Sequence, residues 1–189
     1  MFSAPKYVAS TIWKNFGLPV SPLNPEAYPM KLAIAAIGLL KTGPEKDMAA
    51  DYEKRIVATG RQAGLAPLAI QDWPESRGAT AELRKAEEAK LLWSSVPADA
   101  MAILLDERGK SCSSVDFARL IETEAQKATR QLSFLIGGPD GHAPDSSNKS
   151  RHVLSFGPMT FPHRLLRVML LEQIYRAVTI IVNHPYHRV

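Results

Sequence analysis

Residues 101–138, MAILLDERGKSCSSVDFARLIETEAQKATRQLSFLIGG, hold the unit that decides the fold. Met101 to Leu105 is a short apolar run that ends in a carboxylate, Asp106. A turn containing Gly109 follows, then a helix over Ser114 to Thr129, then a second apolar strand over Leu132 to Ile136 that runs into Gly137 and Gly138. Short continuous apolar runs separated by a helical stretch read as neighbouring parallel strands joined by a crossover.

The same rhythm extends outward in both directions. Upstream, Met30 and Lys31 open the run Leu32 to Ile37, a buried first strand ending near Gly38. A helix is expected from Pro44 to Arg61, with proline in its first turn and Gly60 and Gly64 at its end. A strand over Pro67 to Gln71 and a charged helix over Ala79 to Ser94 complete that half. Downstream come a short helical stretch, a strand near Val153 to Phe156, a loop, and a long helix from His163 to Val182. The alternation predicts an α/β fold, a three-layer sandwich over a mainly parallel sheet. Residues 1–29 differ: Pro5, Pro19, Pro22, Pro25 and Pro29 punctuate them and no period is sustained. They are expected to be an N-terminal extension, flexible or outside a native start at Met30, leaving residues 30–189 as one domain.

Composition narrows the classes. A chain of 189 residues with 46% hydrophobic and 22% charged content is globular rather than disordered. A single cysteine, Cys112, excludes an intrachain disulfide and fits a reducing, cytoplasmic setting. The longest apolar candidate, Leu165 to Val182, is interrupted by Arg167, Glu172, Gln173 and Arg176, so no membrane span is expected. The net charge of +4 is unevenly placed: residues 146–189 carry six basic side chains against one acid, and all five histidines lie at or after His142. Such an end suits an anionic partner, RNA before others, although a solvated basic surface has the same composition.

In open α/β sheets ligands collect beyond the carboxyl ends of strands. Three such places stand out: Asp106 after the Leu104-Leu105 strand end; Gly137 to Gly141, where residues without side chains let backbone amides approach a ligand; and Leu154 to His163, stiffened by Pro158 and Pro162. The glycines lack the G-x-G-x-x-G spacing and no G-K-[ST] follows, which argues against nicotinamide and triphosphate chemistry. A tight strand-to-helix turn would need the same glycines. On the last helix Glu172, Arg176 and Thr179 share a face, and a local ion pair is the plainer reading of the first two. The rest of that helix is so widely apolar that its own sheet or a second copy must cover it, and a homodimer is expected. The ending Asn183-His184-Pro185-Tyr186-His187-Arg188 offers an aromatic for stacking, a guanidinium and imidazoles suited to RNA. Two histidines without cysteine or further histidine partners do not make a zinc site, so no metal is expected.

Met30-Lys31-Leu32, Leu104-Leu105-Asp106, Phe134 to Pro139, Leu154-Ser155-Phe156, Met159 to His163, Leu171 to Ala177 and the closing Asn183 to Arg188 together resemble the RlmH family, the ribosomal RNA large subunit pseudouridine N3 methyltransferases of the SPOUT class. The resemblance spans about residues 30–189. It implies a C-terminal trefoil knot, a homodimer, S-adenosylmethionine as cofactor, and large-subunit (23S) ribosomal RNA in the assembled ribosome as substrate, with neither membrane nor DNA as partner. Carried over by position, the cofactor would be held by Leu105, Gly137, Phe156, Gly157, Pro158, Met159, Thr160 and Phe161. Methylating an imide-type nitrogen requires that its proton leave: His187 or Tyr186 could take it, and Arg176 or Arg188 could stabilise the anion. A non-catalytic RNA-binding or ribosome-assembly protein on the same fold is the alternative.

Overall fold

The computed structural model describes residues 29–186. The expected extension, apart from Pro29, and the tail residues His187 and Arg188 therefore lie outside the described residues. In chain order the elements are β1 (Lys31–Ile37), α1 (Pro44–Gly60), β2 (Leu68–Trp73), α2 (Ala81–Ser94), β3 (Met101–Lys110), α3 (Ser114–Gln126), β4 (Gln131–Ile136), α4 (Pro144–Lys149), β5 (His152–Leu154) and α5 (His163–Ile181). All strands pair in parallel, in the order β2-β1-β4-β3-β5. The register places Asp72, Ala36, Ile136, Leu105 and Leu154 in one row across the sheet.

The continuous apolar runs are explained by burial on both faces. Leu32, Ile34 and Ala36 face a core that also holds Ile56 of α1, Phe117 and Ile121 of α3, and Leu170, Ile174 and Val178 of α5. Ala35, Ile37, Ala102, Leu104 and Leu135 face the opposite way and pack with Leu92 of α2. Trp93 Nε1 donates to Ser146 Oγ at 3.3 Å and ties α2 to α4 on this side. Two helices begin with side-chain caps: Thr80 Oγ1 accepts from Leu83 N at 3.2 Å, and Ser113 Oγ accepts from Asp116 N at 3.1 Å. Each cap satisfies an amide that would otherwise lack a partner, contributing about 1 kcal/mol.

One expectation needs correction. Strand β3 does not stop at Leu105 but continues to Lys110, and Gly109 belongs to the strand rather than to a turn. Leu154 of β5 pairs with both Leu105 and Lys110, so the polar stretch between them bulges and returns to the ladder. A Cβ on Gly109 would sit 2.7 Å from backbone atoms of Val153 and Leu154, so only glycine admits that approach. Apolar patterning cannot signal a strand extension whose side chains stay outside the core. The wide apolar circumference of α5 is covered in large part within the chain, by the sheet and by α1 and α3.

Arg167 on α5 is almost fully buried, its side chain 3% exposed. Its Nη1 donates to Asp72 Oδ2 at 2.7 Å and its Nη2 to the Gly38 carbonyl at 2.5 Å, while Leu40 N also donates to Asp72 Oδ2 at 3.2 Å. One guanidinium thus joins α5 to the ends of β1 and β2. Removing only the carboxylate leaves a buried cation without its counter-charge, so Asp72→Ala is expected to cost about 3 kcal/mol. Urea melts would register this as a lower midpoint with an unchanged slope.

Candidate functional site

Because Ile136, Leu105 and Leu154 stand side by side, the loops that follow leave the sheet at one level and enclose a cleft of about 350 Å³. Of the residues assigned to the cofactor, Leu105, Gly137, Phe156, Gly157, Met159, Thr160 and Phe161 line this cleft; Pro158, in the same loop, does not. Asp106, Gly138, Asp140 and His163 line it as well.

One wall is the loop after β4. Gly141 N donates to Gly138 O at 2.9 Å and closes a tight turn. A Cβ on Gly138 would lie 2.5 Å from Glu88 Oε2, so α2 packs directly behind the wall. Glu88 is only 3% exposed; its Oε1 accepts from Ser76 N at 3.0 Å and its Oε2 has no partner. From the same helix, Arg84 Nε and Nη2 donate to the two oxygens of Asp140 at 2.7 and 3.1 Å, a paired geometry that holds the Asp140 carboxyl below its usual range.

The opposite wall is the loop between β5 and α5. Ser155 N donates to Lys110 O at 3.0 Å, anchoring the loop to the extension of β3. Ser155 Oγ accepts from Gly157 N at 3.0 Å and lies within 3.1 Å of Glu107 O. Thr160 Oγ1 donates to Glu107 Oε2 at 2.8 Å. Gly157 has φ +132°, a conformation that side chains disfavour. Between the walls, His142 Nε2 lies 3.0 Å from the Leu105 carbonyl. A carbonyl only accepts, so Nε2 carries the hydrogen, and burial pushes the imidazole pKa down. The charged groups of the lining are Asp106, Glu107 and Asp140 against Lys85 and Arg108, with Asp140 already engaged by Arg84.

Of the residues given catalytic roles, the described ones, Arg176 and Tyr186, lie away from this cleft; His187 and Arg188 are outside the described residues. Arg176 lies 13 residues beyond His163 on α5, about 20 Å along the axis at 1.5 Å per residue. Its Nε and Nη2 both donate to Glu172 Oε1, at 3.0 and 2.5 Å. Tyr186 packs against Tyr175 with ring centroids 4.6 Å apart and planes tilted by 58°, the Arg176 guanidinium lies 5.2 Å from its ring centroid, and its hydroxyl donates to Glu172 Oε1 at 3.3 Å. Desolvation and a hydrogen bond to Tyr52, with Glu172 nearby, push the Tyr186 phenol up to about 12, so it keeps its proton at neutral pH. Sequence reading assigned nothing to His142, Glu88, Glu107 or Ser155. His142 and Glu107 were within reach of the strand-end rule, since each follows a strand-end residue by a short interval. Glu88 carried no signal, because its contact with Gly138 joins residues of different elements.

Residues 30–187 match the family model described as a predicted SPOUT methyltransferase. Ribosomal RNA large subunit methyltransferase H of Rhodopseudomonas palustris (strain BisA53) is 45% identical over 159 residues, 84% of this chain and 99% of that protein. The protein of the same name from Xanthobacter autotrophicus is 46% identical over 84% of this chain and 99% of its own length. That from Rhizobium leguminosarum bv. trifolii is 44% identical over 85% of this chain and all of its own.

Gly138→Ala drives a methyl group into Glu88 and is expected to destabilise the fold by about 1–3 kcal/mol. Glu88→Ala on that background removes the obstruction, so the two losses should fall short of additivity by more than about 0.5 kcal/mol. Denaturant melts of the four proteins measure this coupling, and strict additivity would show that Gly138 is independent of Glu88.

Proposed function

The chain belongs to the SPOUT methyltransferases, among the ribosomal RNA large subunit methyltransferase H proteins, and on that premise we propose that it transfers a methyl group from S-adenosylmethionine to large-subunit ribosomal RNA. The acceptor is N3 of a pseudouridine in 23S RNA, met in the assembled ribosome in the cytoplasm. What supports the reading is the convergence of the β4–α4 and β5–α5 loops on one cleft beyond the ends of β4 and β5 and beside the Leu105–Arg108 stretch of β3.

The residues present fit this cofactor. The cleft volume of about 350 Å³ falls at the lower end of the range of small-molecule sites, roughly 300–1,000 Å³. Gly137 and Gly138 expose backbone on one wall, and the carboxylates of Asp106 and Glu107 complement a cationic ligand. Leu105, Gly137, Phe156, Gly157, Met159, Thr160 and Phe161 would hold the cofactor, which when bound supplies an electrophilic methyl group, with the chain from β5 into α5 forming the trefoil knot of the family.

The protein's own chemistry then concerns the acceptor. His187 accepts the imide proton, and Arg176 and Arg188 stabilise the negative charge left on the ring. Tyr186, its phenol protonated and held by Glu172, is a structural anchor beside Arg176 rather than the base. Arg176 stands too far along α5 to serve the cleft of its own chain, so the site is composed from two copies in a homodimer. The surface that joins them includes Met48 and Leu165, 50% and 43% exposed, beside a second cleft of about 510 Å³ that reaches Phe156 and Met169.

Calorimetry with S-adenosylmethionine separates this enzyme from a non-catalytic RNA-binding protein, for which no heat is expected. Arg188→Ala should lower kcat about 10²- to 10³-fold, the effect of losing one transition-state contact, with cofactor affinity within threefold of wild type. Leu165→Glu should turn a dimer into monomers in sedimentation velocity; an unchanged coefficient would place the interface on another surface.

A further inference from the structure

His142 has no part in the scheme above, yet it occupies the angle between the two cofactor-holding strand ends. Its Nε2 sits 3.0 Å from the carbonyl of Leu105, the β3 member of the shared row. Its Cε1 would be 3.3 Å from a Cβ on Gly137, so the imidazole packs against the first glycine after β4. The ring lines the cleft itself. We infer that His142 is a positioning residue for the cofactor: a neutral imidazole that acts through the Leu105 carbonyl and the Gly137 backbone to set the width of the slot between β3 and β4.

The inference rests on the reading of the cleft as a sulfonium-binding site and deepens it. Protonating His142 leaves the Nε2–H bond in place but adds a positive charge to a slot whose ligand is itself a cation. Desolvation favours the neutral ring, while the carbonyl of Leu105, the carboxylate of Asp106 and the backbone of Leu135 favour the charged one. The other charged or titratable groups around the cleft are Glu107 and Arg108 from β3, Lys85 from α2, Asp140 clamped by Arg84 on the loop after β4, and His163 at the start of α5; Glu88 lies behind the wall. None of these carbonyl or carboxylate contacts outweighs burial, so the imidazole pKa lies below the usual value of 6.5. The sign follows from linkage: the neutral form is the binding form, so affinity is full above that pKa and declines as pH falls through it, by at most tenfold per unit.

The test is the dissociation constant of S-adenosylmethionine, measured by calorimetry between pH 8 and pH 5 on the full chain, for wild type, His142→Gln and His142→Ala. Glutamine keeps an uncharged N–H donor of similar reach. Wild type should bind with constant affinity above the lowered imidazole pKa and then weaken progressively toward pH 5, by at most tenfold per pH unit. The glutamine variant should match it near pH 7.5 within about threefold and lose the acid branch, which separates His142 from His163. The alanine variant, if it folds, should bind about tenfold more weakly at every pH, with KM for the cofactor raised and kcat at saturation retained. With the uncharged thioether left after methyl loss as ligand, the acid branch of wild type should shrink. Superimposable wild-type and glutamine profiles overturn the role of His142 alone. A wild-type chain that takes up no cofactor at any pH overturns the cleft reading itself.

Discussion

The row Asp72, Ala36, Ile136, Leu105 and Leu154 governs everything at the carboxyl edge of the sheet. Parallel strands about 4.8 Å apart, locked in register by side chains buried on both faces, end at a common level only if no strand slips. A slip of one residue in β3 would turn Leu104 and Leu105 to the wrong layers and lift Asp106 away from the loop after β4. The cleft is therefore a consequence of register: Leu105, Gly137 and Phe156 meet because the residues before them are hydrogen-bonded neighbours.

Polar contacts then fix what the register has brought together. Arg84 grips Asp140, Ser155 and Thr160 fasten the second loop to Glu107, and Arg167 binds Asp72 and Gly38 to the first turns of α5. The two ion pairs add little net stability: desolvating the buried Arg167 offsets its attraction to Asp72, and water screens the partly exposed Arg84 and Asp140. Their effect is on orientation. Each joins a loop to a helix or strand that the core already holds, so the cleft takes its shape from rigid elements rather than from the loops alone. Satisfaction is incomplete at two places among the described residues: Arg167 Nε and Glu88 Oε2 are buried without partners, the latter on a carboxylate wedged behind Gly138.

Helix α5 carries two kinds of chemistry at its two ends. His163 and Leu166 at its start line the cleft, whereas Arg176, Glu172 and Tyr186 form an aromatic and charged cluster about 20 Å further along. A rigid helix cannot fold its far end back onto its own start. In the proposed enzyme this separation is what makes a second copy necessary, because the acceptor base must meet groups from both ends at once.

From the sequence alone came the order of strands and helices, the three layers, the strand ends where ligands gather, and the family, because these depend on apolar runs, glycine and proline positions, and contiguous motifs. The ion pair of Glu172 with Arg176 was legible for the same reason, four residues on one helix being a local relation. The strand order β2-β1-β4-β3-β5, the continuation of β3 to Lys110, and the grouping of Glu88 with Gly138 and of His142 with Leu105 were decided only by tertiary structure. Those are contacts between segments far apart in the chain, where hydrophobic periodicity says that a residue is buried or exposed but not which neighbour it meets. Side-chain roles at the site follow from those neighbours: the imidazole of His142 is a desolvated part of the cleft wall only because Leu105 of β3 and Ile136, the last residue of β4, are register partners.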